Sequence, residues 1–285
     1  MGRYVIVADS GSDISPEDAE RHDIVIVPMH VTIDGKLIDD GDIPVGNMYE
    51  RFRELGTMPK TSGPNPGDFA TVFDGIHERD PEATVLYLAY SAATTSTFES
   101  ARIAAEGRDF VMTVDTESAS AGQMAIVMRT VRYLEGNPDA TRGEVVAFVD
   151  DLKPRVHMGF IPGDLEYLRA GGRLSNAAFL GARLLKIKPV VELIGGKLVA
   201  TMKLRGSMTK AALKMVDAFS RSATRPLDDC KVLLIRSAGL SEGVQRAVED
   251  RLREKGLELV RWVDAHNVVS CHCGPGSFGM VLVQG

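Results

Sequence analysis

Short apolar runs alternate with longer segments of helical periodicity along the first half of the chain. The apolar runs predict strands at Tyr4–Ala8, Val25–Val31, Ala83–Ala89 and Phe110–Val114. The segments with polar starts predict helices at Pro16–Arg21, Asn47–Leu55, Gly67–Glu78, Thr95–Glu106 and Ala119–Leu134. Strands that alternate with helices of about a dozen residues are typical of a parallel sheet covered by helices on both faces.

The pattern becomes more varied in the second half. It predicts helices at Gly143–Lys153, Leu165–Arg169, Ser175–Leu185, Thr209–Ser220 and Ser241–Lys255, and strands at Pro154–Gly163, Lys231–Ser237, Glu258–Val263, Val268–Cys271 and Met280–Val283. Pro189–Ile194 and Lys197–Lys203 flank Gly195 and Gly196, which predicts a hairpin. We therefore expect two α/β domains. Residues 1–155 should hold a mostly parallel sheet covered by helices, and residues 156–285 a mixed sheet with helices.

Composition and charge narrow the class of protein. The 285 residues are 44% hydrophobic and 25% charged, a balance typical of soluble globular proteins. The formal net charge of −6 argues against nucleic-acid binding, which depends on neutralising phosphates. No apolar run approaches the roughly 18 residues of a membrane span, and the start lacks the features of a signal peptide. Three cysteines fit a reducing compartment, so we expect a cytoplasmic protein.

Four segments at predicted strand ends are rich in glycine and small polar residues. They are residues 9–15, 61–69, 91–98 and 271–276. Ligands of open α/β sheets bind at the carboxyl ends of strands, and a helix N-terminus there can hold an anion. Helix capping is the alternative for the first three segments and is favoured for the first, where Ser15 precedes Pro16.

The segment Cys271-His272-Cys273 raises the question of a metal site. On a strand the two cysteines would face one side and His272 the other. A closed zinc site needs about four converging ligands, and the sequence offers no second pair with the right spacing. We therefore expect no metal and no cofactor. His272 is predicted to donate a hydrogen bond to a polar ligand, with a structural histidine as the alternative.

Several of these segments, read in order, resemble the DegV family along nearly the whole chain. They are residues 7–14 (VADSGSDI), 61–69 (TSGPNPGDF), 114–123 (VDTESASAGQ), 165–175 (LEYLRAGGRLS), 187–190 (IKPV) and 272–276 (HCGPG). The stretch at 165–175 is the most specific. One departure concerns the third strand-end segment, where the family usually has two serines. Here the second is Ala92, and Ser96 replaces a later glycine.

The resemblance implies a lipid-binding protein and no stand-alone enzyme. DegV-like proteins bind a long-chain fatty acid in a tunnel between two α/β domains. In many bacteria they present it to a separate kinase, which makes the acyl phosphate for lipid synthesis. The residues implied for the carboxylate are Thr61, Ser62, Ser91, Ala92, Ala93, His272 and Gly274. A protonated His272 would add charge assistance to its hydrogen bond.

The acyl tail and the partner surface have their own candidates. Phe179, Leu180, Leu184 and Ile187 have the apolar texture of a tunnel wall, although ordinary core is the alternative for each. Arg173 and Arg205 lie in family-typical segments. They could contact a partner kinase or, transiently, anionic lipid head groups, and solvated charges are the alternative.

A different function class also fits part of the sequence. Hydroxyl-rich strand ends would suit a small phosphorylated substrate, as in a phosphotransferase or a dihydroxyacetone-kinase-like subunit. Against that function, the sequence contains no nucleotide-binding loop and no pair of carboxylates clearly placed for magnesium. Fatty-acid binding remains the prediction, with this enzyme as the alternative.

Overall fold

The computed structural model describes residues 3–58, 60–173 and 181–285. By their contacts, these residues fall into two compact units. The first unit contains Met1–His30, Ser62–Pro154 and Gly195–Lys197, and the second contains Val31–Thr61, Arg155–Ile194 and Leu198–Gly285. Each unit is built from separate stretches of the chain, and the single domain boundary after residue 155 stays a prediction.

The described residues form strands and helices throughout the chain. The strands are β1 Tyr4–Asp9, β2 Ile24–Val27, β3 His30–Ile33, β4 Lys36–Asp39, β5 Lys60–Ser62, β6 Thr84–Ala89, β7 Val111–Asp115, β8 Val156–Ile161, β9 Ile187–Ile194, β10 Lys197–Arg205, β11 Cys230–Arg236, β12 Glu258–Asp264 and β13 Phe278–Gln284. The helices are α1 Pro16–Arg21, α2 Val45–Leu55, α3 Pro66–Arg79, α4 Thr97–Ala105, α5 Ser120–Gly136, α6 Arg142–Leu152, α7 Leu165–Ala170, α8 Met208–Ser222, α9 Glu242–Glu254 and α10 Asn267–Cys273. Residues 181–184 are also helical.

The first unit contains a parallel sheet with the strand order β2-β1-β6-β7. Successive residues of β6, such as Leu86 and Tyr87, are both fully buried, so both faces of the sheet are covered. On one face Tyr87 packs in a cluster with Phe69 and Phe73 of α3. Helix α5 contacts β1 and β6. The predicted parallel α/β architecture is confirmed for this part of the chain.

The second unit contains a mixed sheet with the strand order β10-β9-β8-β13-β11-β12. The pairs β9–β8, β8–β13 and β13–β11 are antiparallel, whereas β11 and β12 are parallel. Helices α8 and α9 contribute Phe219 and Val248 to the core, where they join Leu234 of β11. The predicted mixed sheet and the hairpin around Gly195 and Gly196 are confirmed.

The predicted strand Val25–Val31 is wrong in its extent. The chain forms β2 up to Val27 and then β3 from His30, which belongs to a small sheet with the order β4-β3-β5. Pro28 lies in the gap, and a proline has no amide with which to continue a strand ladder. Strands β4 and β5 have only four and three residues, too few for a clear alternating pattern.

The predicted strand Val268–Cys271 is also wrong, because this segment belongs to helix α10. Its valines favour a strand locally, but contacts within the second unit hold the start of the helix. Asp40 Oδ1 accepts from the amide of Val268 at 2.9 Å, and Asn267 Oδ1 accepts from the amide of Gly41 at 2.9 Å. Tertiary hydrogen bonds therefore override the local preference.

Gly163 provides a test of backbone packing in the second unit. A Cβ atom here would lie 1.8 Å from the carbonyl oxygen of Pro275, so Gly163→Ala must displace backbone. We expect this variant to lower the free energy of unfolding by about 2 kcal/mol or more, as overpacking does. Urea unfolding measures it.

Gly243→Ala, in α9 of the same unit, is the matched control. Its Cβ would meet only Ser241 Oγ, at 4.0 Å, so we expect unchanged or slightly higher stability. Equal effects of the two variants would contradict the close approach at Gly163.

Candidate ligand site

The strand order places a topological switch point between β1 and β6. From β1 the chain adds β2 on one side and later β6 on the other side. The order in which strands are added therefore reverses between β1 and β6, although the strands stay parallel. Such a switch point is where open α/β sheets bind ligands. The turn that follows β6, residues 90–96, lies at this end of the sheet and is called here the β6 turn.

Hydrogen bonds to neighbouring strand ends hold the first part of the β6 turn. The amide of Ser91 donates to the Ser118 carbonyl at 2.8 Å, and the amide of Ala92 donates to Asp115 Oδ1 at 3.3 Å. The amide of Thr94 returns to the Ser91 carbonyl at 3.0 Å. These bonds fix the path of the backbone toward α4.

The remaining amides of the β6 turn are available to a ligand. Within the described residues, the amides of Ala93, Thr95 and Ser96 meet no acceptor. Ser96 is the N-cap residue of α4, and its side chain makes no capping bond. Backbone amides without an acceptor can donate to an anion. A carboxylate bound at this end of the first unit stays a prediction.

The predicted residues of the β6 turn act differently from one another. Ser91 is fully buried, and its hydroxyl donates to the Gly196 carbonyl at 2.6 Å within the first unit. Its single proton is therefore already committed to a protein acceptor. Ala92 and Ala93 are exposed, and only the amide of Ala93 remains unpaired. The sequence did not indicate this division of roles, and contact of the turn with a ligand stays a prediction.

The loop after β5 packs against the start of α4 in the first unit. A Cβ atom on Gly63 would lie 2.5 Å from Thr97 Oγ1, so the backbone approaches this threonine closely. Thr97 Oγ1 also lies 2.8 Å from Thr95 Oγ1. Ser62, the residue before Gly63, is exposed. A hydroxyl on Ser62 can therefore reach solvent or a ligand near this loop.

Thr61 and His272 meet within the second unit. Thr61 Oγ1 lies 3.0 Å from His272 Nε2. On the other side of the ring, a Cβ on Gly171 would lie 2.2 Å from His272 Nδ1, so only a glycine leaves room for the imidazole. Nδ1 is inaccessible to solvent and has no partner among the described residues. The sequence named Thr61 and His272 but did not identify Gly171 as the residue that accommodates the ring.

The charge state of His272 corrects the expectation of a protonated imidazole. Burial, with a smaller effect from the nearby charge of Arg173, lowers the pKa of His272 to about 4. The ring is therefore neutral at pH 7 and offers one N–H donor and one acceptor. Charge assistance from this residue is not available at neutral pH.

Gly274 serves the packing of the second unit. It has a φ of +75°, and a Cβ here would lie 3.0 Å from the amide of Asp164. Its carbonyl accepts from Ser237 Oγ at 2.7 Å. These contacts fix the chain next to His272. A direct contact of Gly274 with a ligand stays a prediction.

The tail and partner candidates remain predictions. Phe179 and Leu180 lie outside the described residues. Leu184 is 81% exposed, whereas Ile187 is half-buried and lines a cavity of about 430 Å³ in the second unit. Arg173 and Arg205 are both exposed.

The described part of the chain contains no group of three or more histidine, cysteine or acidic residues that could hold a metal ion. Cys271 Sγ lies 3.5 Å from Met48 Sδ, and Ser277 Oγ lies 2.9 Å from Cys273 Sγ, so both thiols pack in the interior. Over the same described residues, no helix combines the length and apolar character that crossing a membrane requires.

Comparison with known proteins gives one consistent result along the whole chain. The profile of the DegV family, described as uncharacterised proteins, matches residues 3–285. A DegV domain-containing protein of Deinococcus radiodurans is 30% identical over 281 residues, which is 97% of each chain. A Thermus thermophilus DegV family structure, described as showing fatty acid binding, has a TM-score of 0.87 at 30% identity and covers 99% of both chains. A DegV lipid binding protein from Thermotoga maritima has a TM-score of 0.85 at 28% identity, covering 99% of this chain and 98% of that one.

The lowered pKa of His272 predicts a pH dependence of stability. The unfolded chain takes up a proton at this residue as pH falls through about 6.5, whereas the folded chain resists until about pH 4. The contribution of His272 is thus fully present above pH 6.5 and is lost as pH falls to 4, by on the order of 3 kcal/mol. Urea unfolding should be measured for the wild type and for His272→Gln from pH 7 to 4. We expect the free energy of unfolding to fall less in the variant than in the wild type. Parallel curves would mean that His272 is not held neutral.

Proposed function

Because this chain belongs to the DegV family, we propose that it binds one long-chain fatty acid without a covalent bond. The carboxylate occupies a polar pocket, and the tail occupies an apolar tunnel. The observation that carries this proposal is the likeness, along the whole chain, to a structure described as a fatty-acid-binding DegV protein. The unpaired amides of the β6 turn are an independent feature of this chain that suits the same ligand.

The carboxylate needs several hydrogen-bond donors, because burying an unpaired anion is very costly. In the first unit the amides of Ala93, Thr95 and Ser96 are unpaired hydrogen-bond donors, and Ser62 adds an exposed hydroxyl. Ser91 supports the turn through its bond to Gly196. Because these donors are mainly backbone groups, the replacement of a family serine by Ala92 does not remove the anion site.

In the second unit, taken by itself, Thr61 and His272 form a polar pair. A neutral imidazole with its proton on Nε2 donates to Thr61 Oγ1, which leaves the threonine proton for an acceptor such as a carboxylate. This arrangement works without a charge on His272, in keeping with its lowered pKa. His272 then acts through Thr61 by orienting its hydroxyl.

The acyl tail supplies most of the binding free energy. Each buried methylene contributes about 0.8 kcal/mol, so about 15 methylenes contribute on the order of 12 kcal/mol before ordering costs. That is enough for tight binding without covalent chemistry. Phe179, Leu180, Leu184 and Ile187 remain the proposed tunnel residues. Leu184, exposed in the structure, would be covered by the tail or by movement of its segment.

The bound carboxylate is the group that a separate kinase would phosphorylate. In this proposal the protein presents the acid, the kinase transfers the γ-phosphoryl group of ATP to a carboxylate oxygen, and acyl phosphate and ADP result. Arg173 and Arg205 are both exposed, which suits contact with such a partner. Arg205 lies beside Lys203 and Lys214 at a cavity rim, so the local surface is basic.

Solvent extraction of the purified protein followed by mass spectrometry tests the function. We expect close to one long-chain fatty acid per chain. An empty protein that turns over ATP alone would instead support the phosphotransferase alternative. An empty protein that takes up no added fatty acid in a displacement titration would contradict the proposal.

Thr61→Val should weaken fatty-acid binding by about tenfold, the loss of one hydrogen bond to a charged group. Thr61→Ser retains the hydroxyl and is the matched control, with an affinity close to the wild type. His272→Ala should also weaken binding, but by no more than Thr61→Val, because it retains the threonine hydroxyl and only frees it to rotate. Displacement of a fluorescent fatty acid measures all three. Unchanged affinity of both Thr61→Val and His272→Ala would remove this pair from the site.

Arg205→Glu should leave fatty-acid binding unchanged and reduce acyl-phosphate formation with the partner kinase subunit by about tenfold or more, since reversing a charge across an interface is strongly unfavourable. Arg246→Glu, on the exposed surface of α9, is the control and should have no effect on either measurement. Normal transfer with Arg205→Glu would exclude this residue from the partner surface.

A further inference from the structure

The carboxylate of Asp9 holds the β6 turn in the first unit. Asp9 is the last residue of β1, next to β6, and is fully buried. Its Oδ2 accepts from the amide of Tyr90 at 2.9 Å, from the Tyr87 hydroxyl at 2.9 Å and from Gln123 Nε2 at 3.2 Å. One oxygen atom therefore ties the start of the turn to the strand below it and to helix α5.

Burying the carboxyl group of Asp9 costs free energy. Its other oxygen, Oδ1, has no hydrogen-bond partner among the described residues. Burial raises the pKa of Asp9, and the bonds from Tyr90, Tyr87 and Gln123 oppose that rise. A buried carboxyl with half of its acceptors unused is expensive.

Gly11 leaves room for the ring of Tyr90 beside Asp9. A Cβ on Gly11 would lie 2.8 Å from Tyr90 Cδ2 and 3.1 Å from Asp9 Oδ1. The ring of Tyr90 therefore packs closely over the backbone of Gly11, beside the carboxyl. Tyr90 thus donates its amide to Asp9 and packs its ring over Gly11. The position of the β6 turn depends on both contacts.

We propose that Asp9 is a positioning residue for the anion site, because it fixes the β6 turn so that the amides of Ala93, Thr95 and Ser96 point to the ligand together. This inference rests on the proposed function and adds a residue that does not touch the fatty acid. Asp9 and Asp115 secure the beginning of the turn through Tyr90 and Ala92. The amides that follow are left unpaired and in a fixed arrangement. Preorganised donors bind an anion more tightly than mobile ones, since less ordering is needed on binding.

Two variants of Asp9 separate positioning from charge. Asp9→Ala removes every acceptor for Tyr90, Tyr87 and Gln123. We expect fatty-acid affinity to fall by about tenfold or more, together with faster hydrogen exchange at the amides of Tyr90 and Ser91. Asp9→Asn retains one acceptor oxygen in the same place, so its affinity should stay within about threefold of the wild type.

Thr130→Val is the control for stability. Thr130 is fully buried in α5 and its hydroxyl donates to the Ile126 carbonyl, away from the turn. We expect this variant to lower the unfolding free energy without changing affinity or exchange at residues 90–91. Should Asp9→Ala fail to fold, Gly11→Ala takes its place, because the added methyl group displaces the Tyr90 ring while Asp9 stays intact. It should weaken binding and speed exchange in the same way.

The outcomes that overturn the inference are specific. Wild-type affinity in Asp9→Ala, or in Gly11→Ala where it replaces that variant, would show that the turn does not depend on this contact. Weak binding by Asp9→Asn, equal to that of Asp9→Ala, would show that charge matters and placement does not. If even the wild type takes up no fatty acid, the proposed function fails, and exchange at residues 90–91 alone decides whether Asp9 fixes the turn.

Discussion

Parallel strands bring their carboxyl ends to one edge of a sheet, and the amides of the turns that follow must find acceptors or remain available to a ligand. In the first unit this constraint governs the organisation of the β6 turn. Asp9, Asp115 and the Ser118 carbonyl take up the first amides. The later amides, before α4, stay unpaired among the described residues. The same geometry that builds the sheet therefore leaves backbone donors beside it, and these are the donors of the proposed anion site.

The second unit contributes a different kind of polar group. Its donor is a side-chain pair in which a neutral imidazole orients a hydroxyl, and the tight space beside Gly171 fixes the ring. Burial, with a smaller effect from the nearby charge of Arg173, lowers the pKa of His272, so the buried ring carries no charge at neutral pH. In the proposed function, a neutral pair of this kind would bind a carboxylate through dipoles, and the tail would supply most of the binding free energy.

The resemblance identified from short motifs named residues for a site, and the structure shows the local contacts of several of them. Thr61 and His272 were named from the sequence, and the structure brings them within hydrogen-bond distance. The expected charge on His272 was wrong, because a pKa depends on burial, which the sequence does not display. Ser91 was named among the carboxylate residues, and in the structure its hydroxyl donates to the Gly196 carbonyl, which is distant in sequence.

The sequence by itself determined the fold class. Strands and helices that bury one face repeat apolar residues with different periods, and each period can be read from a short segment of sequence. It determined the hairpin around Gly195 and Gly196 and the family, since both depend on residue types at fixed spacing. Only the tertiary structure decided that residues 267–273 form a helix, because Asp40 and Gly41 supply its end contacts from far along the chain. It also decided which amides and hydroxyls stay free. A hydrogen bond needs two groups that are close in space, and the local sequence around one group does not show which distant group is its partner.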